Sequence, residues 1–286
     1  MATSVVGSVA KGLIRVGRPF YKMSGSGNDF VFFDLRDGPP GDLSTPTAIQ
    51  EICARGTGVG ADGVVFFDRS DPQAPTIRYY NSDGSGGELC GNATLCTVRL
   101  AELLGAPCDD GVIVRTDAGD VAARLVDGLP EIDLEAVTEV QPDLAAIEPT
   151  GSEQRLGYTV VGVPHVVIEV PDVATVDVVG RGSRIRRDRS LAMGANVNFV
   201  ARASDGSWMI RTYERGVEGE TLACGTGAAA SAILLEAWGR AASPVRLVTR
   251  SARTLTVTLG REGDVWHPSL RGSAELVFIG QFVHTG

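Results

Sequence analysis

At 286 residues the chain is too long for one small core, and its 26 lysines and arginines stand against 35 acids, a formal charge of -9. That balance argues against nucleic acid or an anionic membrane as partner, since either repels the chain on average, and leaves a small soluble ligand as the default. Charged or glycine residues interrupt every apolar segment before the ~20 residues a bilayer span requires, and five cysteines with three scattered histidines (His165, His267, His284) supply neither a disulfide framework nor a zinc site, which fits a reducing, cytoplasmic compartment.

Residues 1–18 read as an N-terminal extension, with Lys11, Arg15 and Arg18 following the apolar run Val5 to Ala10, the reverse of a signal peptide. Ser24-Gly25-Ser26-Gly27-Asn28-Asp29-Phe30 then leads into a buried strand, Val31 to Asp34. Asn28 at its mouth is a turn residue or a ligand-facing amide. Thr45 to Arg55 has helical spacing at Ile49, Ile52 and Cys53, with Pro46 in the first turn. Gly58-Val59-Gly60-Ala61-Asp62-Gly63 matches Gly-x-Gly-x-x-Gly literally, but it follows a helix and opens the strand Val64 to Phe67. A dinucleotide fingerprint needs the opposite order, so no nicotinamide or flavin site is read there.

The central feature is a repeat. Ile77-Arg78-Tyr79-Tyr80-Asn81 leads through a glycine-rich loop to Cys90-Gly91-Asn92, and Ile210-Arg211-Thr212-Tyr213-Glu214 leads in the same way to Cys224-Gly225-Thr226. Each cysteine opens a helix, and a glycine closes each helix fifteen residues later, at Gly105 and Gly239. After Cys90 the spacing of Cys96, Leu100, Leu103 and Leu104 predicts an apolar stripe; after Cys224, Ser231, Leu234, Leu235 and Trp238 share a face. Short alternating runs from Gly111 to Ala136 read as antiparallel sheet with tight turns. Gln141 to Gln154 reads as the connection between halves, and the arginine-rich run Arg181 to Arg189 as a solvated loop or helix face. Val163-Pro164-His165 enters one strand and Asn196 another, while 245–259, 264–270 and 274–284 are closing strands. The expected fold is α+β: two pseudo-symmetric domains, each an antiparallel sheet wrapped around a central helix.

A thiol at a helix start meets unpaired N–H groups and the positive end of the helix dipole, so its pKa is expected to fall, and the same N–H groups can bind an anion. If the helix starts converge, Gly91-Asn92 and Gly225-Thr226 can cradle a carboxylate while the two sulfurs flank the adjacent carbon. One thiol then removes a proton and the other returns one, which is what inversion without a cofactor requires. A pair of small structural hydrophobes, an inter-half disulfide and a redox dithiol are the competing readings.

Taken together, Gly27-Asn28-Asp29-Phe30, the loop ending at Gly63, Asn81-Ser82-Asp83-Gly84-Ser85 with Cys90-Gly91-Asn92, Pro164-His165, Asn196-Val197-Asn198-Phe199, and Glu214-Arg215-Gly216 with Cys224-Gly225-Thr226-Gly227 resemble the diaminopimelate epimerases, cofactor-independent amino-acid racemases. The resemblance implies Cys90 and Cys224 as the acid/base pair, assisted by His165 and Glu214. It implies Gly91, Asn92, Gly225 and Thr226 around the reacting carboxylate, Glu214 and Arg215 on charged substrate groups, and Asn28, Asn81 and Asn196 at the distal amino-acid group. It further implies epimerisation of LL- to meso-2,6-diaminopimelate for lysine and peptidoglycan precursors, no cofactor or metal, and a homodimer. The implied division is 19–135 with 275–286 as one domain and 136–274 as the other. Val163 stands where many members carry asparagine, and Gly63 where some carry glutamine. A proline or hydroxyproline racemase, another amino-acid racemase and a non-catalytic amino-acid-binding relative are the alternatives.

Overall fold

The computed structural model describes residues 17–87 and 90–283. Residues 1–16 of the expected extension, and His284, lie outside them. Arg18 already belongs to the first strand, Arg18–Gly25, and its guanidinium donates to the carbonyls of Asp34 and Pro39, each at 3.0 Å.

Among the described residues the α-helices are α1 (Pro46–Cys53), α2 (Gly91–Leu103), α3 (Val178–Arg186) and α4 (Gly225–Ala237). They pack on a sheet whose pairings occur twice. Asn28–Asp34 runs parallel to Gly63–Asp68, which runs antiparallel to Thr76–Asn81. Val163–Glu169, Asn196–Arg202 and Trp208–Glu214 repeat these pairings in the second half. Each half then passes through its central helix to a three-stranded meander, Val112–Thr116, Gly119–Val126 and Leu129–Asp133 in one and Val245–Val248, Thr254–Glu262 and Val265–Arg271 in the other. The fold is α+β with an internal repeat, and its sheet is mixed. Hydrophobic alternation cannot report strand direction, but a parallel pair needs a long crossover, and the segments carrying α1 and α3 supply one in each half.

The halves are joined by backbone. Leu129–Asp133 pairs with Val265–Arg271, placing Ile132 opposite Leu270. The last strand, Ala274–Phe282, returns to pair with Arg18–Gly25.

The central helices share a beginning and an end. Cys90 (φ -128°, ψ 108°) and Cys224 (φ -133°, ψ 113°) are the N-caps, with nearly identical backbone. At the other end Gly105 and Gly239 adopt φ of +92° and +68°. Each donates to the carbonyl three residues back while the next residue, Ala106 or Arg240, donates to the carbonyl five back. This double bond pattern ends a helix on a left-handed residue, a conformation glycine adopts without steric cost. Every residue of α4 from Gly227 to Leu235 is buried, as an alanine-rich helix apolar all round should be when sheet encloses it. On α2, Cys96 and Leu100 are buried, but Leu103 is 53% exposed and does not belong to the predicted stripe. In the arginine run Arg184, Arg187 and Arg189 are exposed, as a solvated face should be, and Arg181 is the exception. Its guanidinium pairs at 2.8 Å with the buried Glu153. The connection Gln141 to Gln154 sends Leu144 and Ile147 into the second-half core.

Candidate active site

The two helix starts converge. A methyl group built on Gly225 would lie 4.0 Å from the Gly91 α-carbon, 3.9 Å from Asn92 Oδ1 and 2.7 Å from a Leu270 methyl. Leu270 and Ile132, opposite each other where the sheets join, thus form the apolar floor on which both N-termini rest. A cavity of about 600 Å³ opens above this junction, and both cysteines line it. They are free thiols, Cys224 buried and Cys90 half-buried. Cys224 Sγ accepts from the Gly227 N–H at 3.3 Å and lies 3.6 Å from Thr226 Oγ1. A larger hollow of about 680 Å³ lies between Arg155, Glu169 and Arg240 on the second half, and no residue of the repeat motifs lines it.

Of the residues singled out from sequence, Asn28, Asn81, Gly91, Asn92, Glu214, Arg215, Gly225 and Thr226 line the same cavity as the cysteines. Asn28 is held from both sides. Its Nδ2 donates to Asp62 at 3.0 Å and its Oδ1 accepts from Asn92 Nδ2 at 2.7 Å. Asp62 in turn accepts from Arg55 at 2.7 Å, so a cation anchors a chain of fixed polarity that ends on Asn92 Oδ1, a buried oxygen with no donor among the described residues.

Asn196 and His165 stand behind the cavity rather than on its wall. Asn196 Oδ1 accepts from the Arg215 N–H at 2.7 Å and so holds the backbone that carries the guanidinium. His165 has no exposed surface; Nδ1 lies 3.2 Å from Asn198 Nδ2, and Nε2 has no partner among the described residues. Burial, with Arg215 adding to it, pushes its pKa down to about 3, so it is neutral near pH 7.

The thiols do not behave as the helix ends alone predict. Burial pushes Cys90 up to about 11, with Glu214 adding to the rise and the Ala93 and Asn92 N–H groups opposing it. Cys224 is raised further, by burial first and then by Glu214, against the Thr226 hydroxyl and the Gly227 N–H. The expected lowering is therefore overturned, and magnitudes say why. A helix terminus is worth ~0.3–1 kcal/mol, below one pKa unit, while full desolvation shifts a group by up to ~3–5 units. Glu214 is raised as well, by burial and by Asp62, with the Thr221 hydroxyl pulling the other way.

Phe30, Asp62 and Tyr79 also line the cavity, although the sequence motifs that contain them do not mark them as site residues. For Tyr79 a signal existed, since it lies two residues before Asn81 on one strand and so faces the same side.

The chain resembles known proteins over nearly its whole length. Residues 20–135 and 157–276 match the family described as diaminopimelate epimerase. A protein named diaminopimelate epimerase from Gemmatimonas aurantiaca is 44% identical over 272 residues, covering 92% of this chain and 98% of that protein. Another of that name from Aquifex aeolicus is 37% identical, over 92% and 96%. Among solved structures, a PhzF-family phenazine biosynthesis protein from Bacillus anthracis superposes with a TM-score of 0.73 at 13% identity, covering 95% of this chain and all of that one. A hydroxyproline epimerase from Agrobacterium vitis superposes at 0.64 and 16%, covering 94% and 92%. At such identities these two establish the fold alone.

Proposed function

The chain belongs to the diaminopimelate epimerase family and is an isomerase, and from that premise we propose that it interconverts LL- and meso-2,6-diaminopimelate by a two-thiol proton exchange. The observation that carries this reading is the convergence of two cysteine-capped helix starts on one cavity. The backbone N–H groups at Gly91-Asn92 and Gly225-Thr226 receive the α-carboxylate. One sulfur, as thiolate, takes the α-proton and becomes a thiol. The electron pair left on the α-carbon delocalises into the carboxylate, where the helix-end donors stabilise the growing charge. The opposite thiol delivers a proton to the other face and is left as the thiolate, so the two sulfurs exchange roles and nothing else is consumed.

The raised thiol pKa values are consistent with this cycle, because a weakly acidic thiol is a strong base once ionised and a carboxylate seated at the helix ends displaces water from both. Glu214 and Arg215 supply one charge of each sign, which suits the second amino-acid group of diaminopimelate better than the uncharged ring of proline. The reaction sits in lysine and peptidoglycan-precursor synthesis, in the cytoplasm. A homodimer is supported by the apolar surface of the last strand.

Exchange of the α-proton of LL-diaminopimelate for deuterium in heavy water tests the chemistry. Reduced protein should incorporate deuterium and form the meso isomer, and a Cys90→Ala, Cys224→Ala double variant should do neither. Absence of exchange with the reduced protein, or undiminished exchange in the double variant, refutes the mechanism.

A further inference from the structure

Tyr79 sits in a slot that only glycines leave open. It lies directly opposite Gly87 across one strand pair and diagonal to Gly63 across the other, where Gly63 faces Asn81. A methyl group at Gly63 would come within 2.5 Å of the Tyr79 ring and 3.0 Å of its hydroxyl oxygen, and one at Gly87 within 2.5 Å of the other ring edge. Phe30 packs edge-on against it, ring centroids 6.1 Å apart. The ring therefore occupies the side-chain volume that both glycines forgo.

From this slot the hydroxyl donates to Asn81 Oδ1 at 3.0 Å. Asn81 Nδ2 donates to Ser85 Oγ at 3.0 Å, and Ser85 Oγ donates to Asp83 at 2.6 Å. Asp83, held below its usual pKa by Ser85, accepts only. The direction of every bond in the chain follows from that end: Ser85 must accept from the amide nitrogen, so the amide oxygen must face Tyr79. Burial first, then the nearby Cys90, Asp62 and Glu214, keeps the phenol protonated and able to donate. Among the described residues, one N–H and one lone pair of the Asn81 carboxamide have no partner, and Asn81 lines the cavity.

The second half frames this arrangement by contrast. By strand register Gly63, Tyr79, Asn81 and Gly87 correspond to Asn196, Thr212, Glu214 and Thr221. In the first half two glycines and one tyrosine occupy these places, and the tyrosine hydroxyl bonds the cavity-facing residue at the strand end.

We propose that Tyr79 is a positioning residue of the substrate site, fixing through its hydroxyl the orientation in which Asn81 meets the substrate, and that Gly63 and Gly87 are small in order to admit its ring. This deepens the epimerase reading and rests on it. Gly63 is thereby paired with the tyrosine that fills its place.

The test is a double-mutant cycle on Tyr79→Phe and Asn81→Ala, with kcat and KM measured for LL-diaminopimelate. Loss of one hydrogen bond that binds ground and transition states alike should raise KM about tenfold with kcat within about twofold. The double variant should match Asn81→Ala alone, because the phenol acts through that residue. Additive effects, or an unchanged KM in Tyr79→Phe, overturn the proposal. The Asn81 side-chain amide resonances, followed without substrate, read the same contact independently; they should shift and exchange faster in Tyr79→Phe. If they do so while the wild-type protein leaves diaminopimelate unchanged, the substrate assignment fails and the positioning role stands. If they are unmoved, the positioning role falls.

Discussion

His165 is charged in the unfolded chain and neutral in the folded one across the mildly acidic range, and this makes it a pH-dependent cost at the scale of a single residue. Its folded pKa of about 3 lies below the ordinary 6.5, through burial first and Arg215 second. A depressed histidine leaves stability intact above the unfolded value and removes it as pH falls, because only the unfolded chain then takes up the proton. Between pH 6.5 and 5 the loss comes to ~2 kcal/mol at 1.36 kcal/mol per unit. The register pairs His165 with Asn196 as it pairs Phe30 with Gly63, so phenylalanine is the residue the other half uses at this place. We expect His165→Phe to flatten the acid side of the stability curve. Thermal melts of both proteins at pH 7 and pH 5 measure it, and equal losses on acidification would remove His165 as the cause. Asn198 makes the site specific to the second half, since its amide reaches both Nδ1 of His165 and the Val166 carbonyl while its oxygen accepts from Thr212.

The same asparagine governs the start of α4. Gly227, three residues after the cysteine, corresponds to Ala93 of α2, and a methyl group there would lie 2.3 Å from Asn198 Oδ1 and 3.2 Å from Cys224 Sγ. Helix propensity alone favours alanine over glycine by ~1 kcal/mol, but overpacking a closed site costs ~1–3 kcal/mol, and here it also displaces the Cys224 sulfur. Gly227→Ala should therefore lower the melting temperature and cut α-proton exchange by at least tenfold, whereas a propensity-driven rise in stability with full activity would show that the helix start yields freely. These elements also show what the sequence made legible. Both central helices, their caps and their closing glycines follow from local rules and could be read directly, and the strand period marked the runs that flank them. Strand direction, the meeting of Gly225 with Gly91, and the slot around Tyr79 depend on register between segments distant in sequence, to which no local pattern responds. The thiol pKa values were misjudged for the same reason, because the dipole is a property of one helix and burial is a property of everything packed around it.

At the scale of the whole molecule, the return of Ala274–Phe282 to the first strand leaves an apolar surface. Val277 and Ile279 are 56% and 63% exposed, and Leu276 and Phe278 are also open. Among the described residues no strand pairs with the outer edge of this segment. Contiguous exposed aliphatic side chains on an edge strand mark a surface made to be covered, and we propose that a second copy of the chain covers it about a twofold axis, each residue then counting twice. Burying one such side chain is worth ~1.5–3 kcal/mol, so an Ile279→Lys substitution, repeated on both protomers, should weaken self-association by at least about 100-fold. Phe278 packs edge-on against Phe20 at 5.8 Å and belongs to the protomer's own structure, so it is left intact. Sedimentation velocity at micromolar protein is the measurement. Wild type should run as a dimer and Ile279→Lys as a monomer with an unchanged near-ultraviolet spectrum. A wild-type monomer, or a variant that stays dimeric, would place the homodimer contact elsewhere or dispose of it.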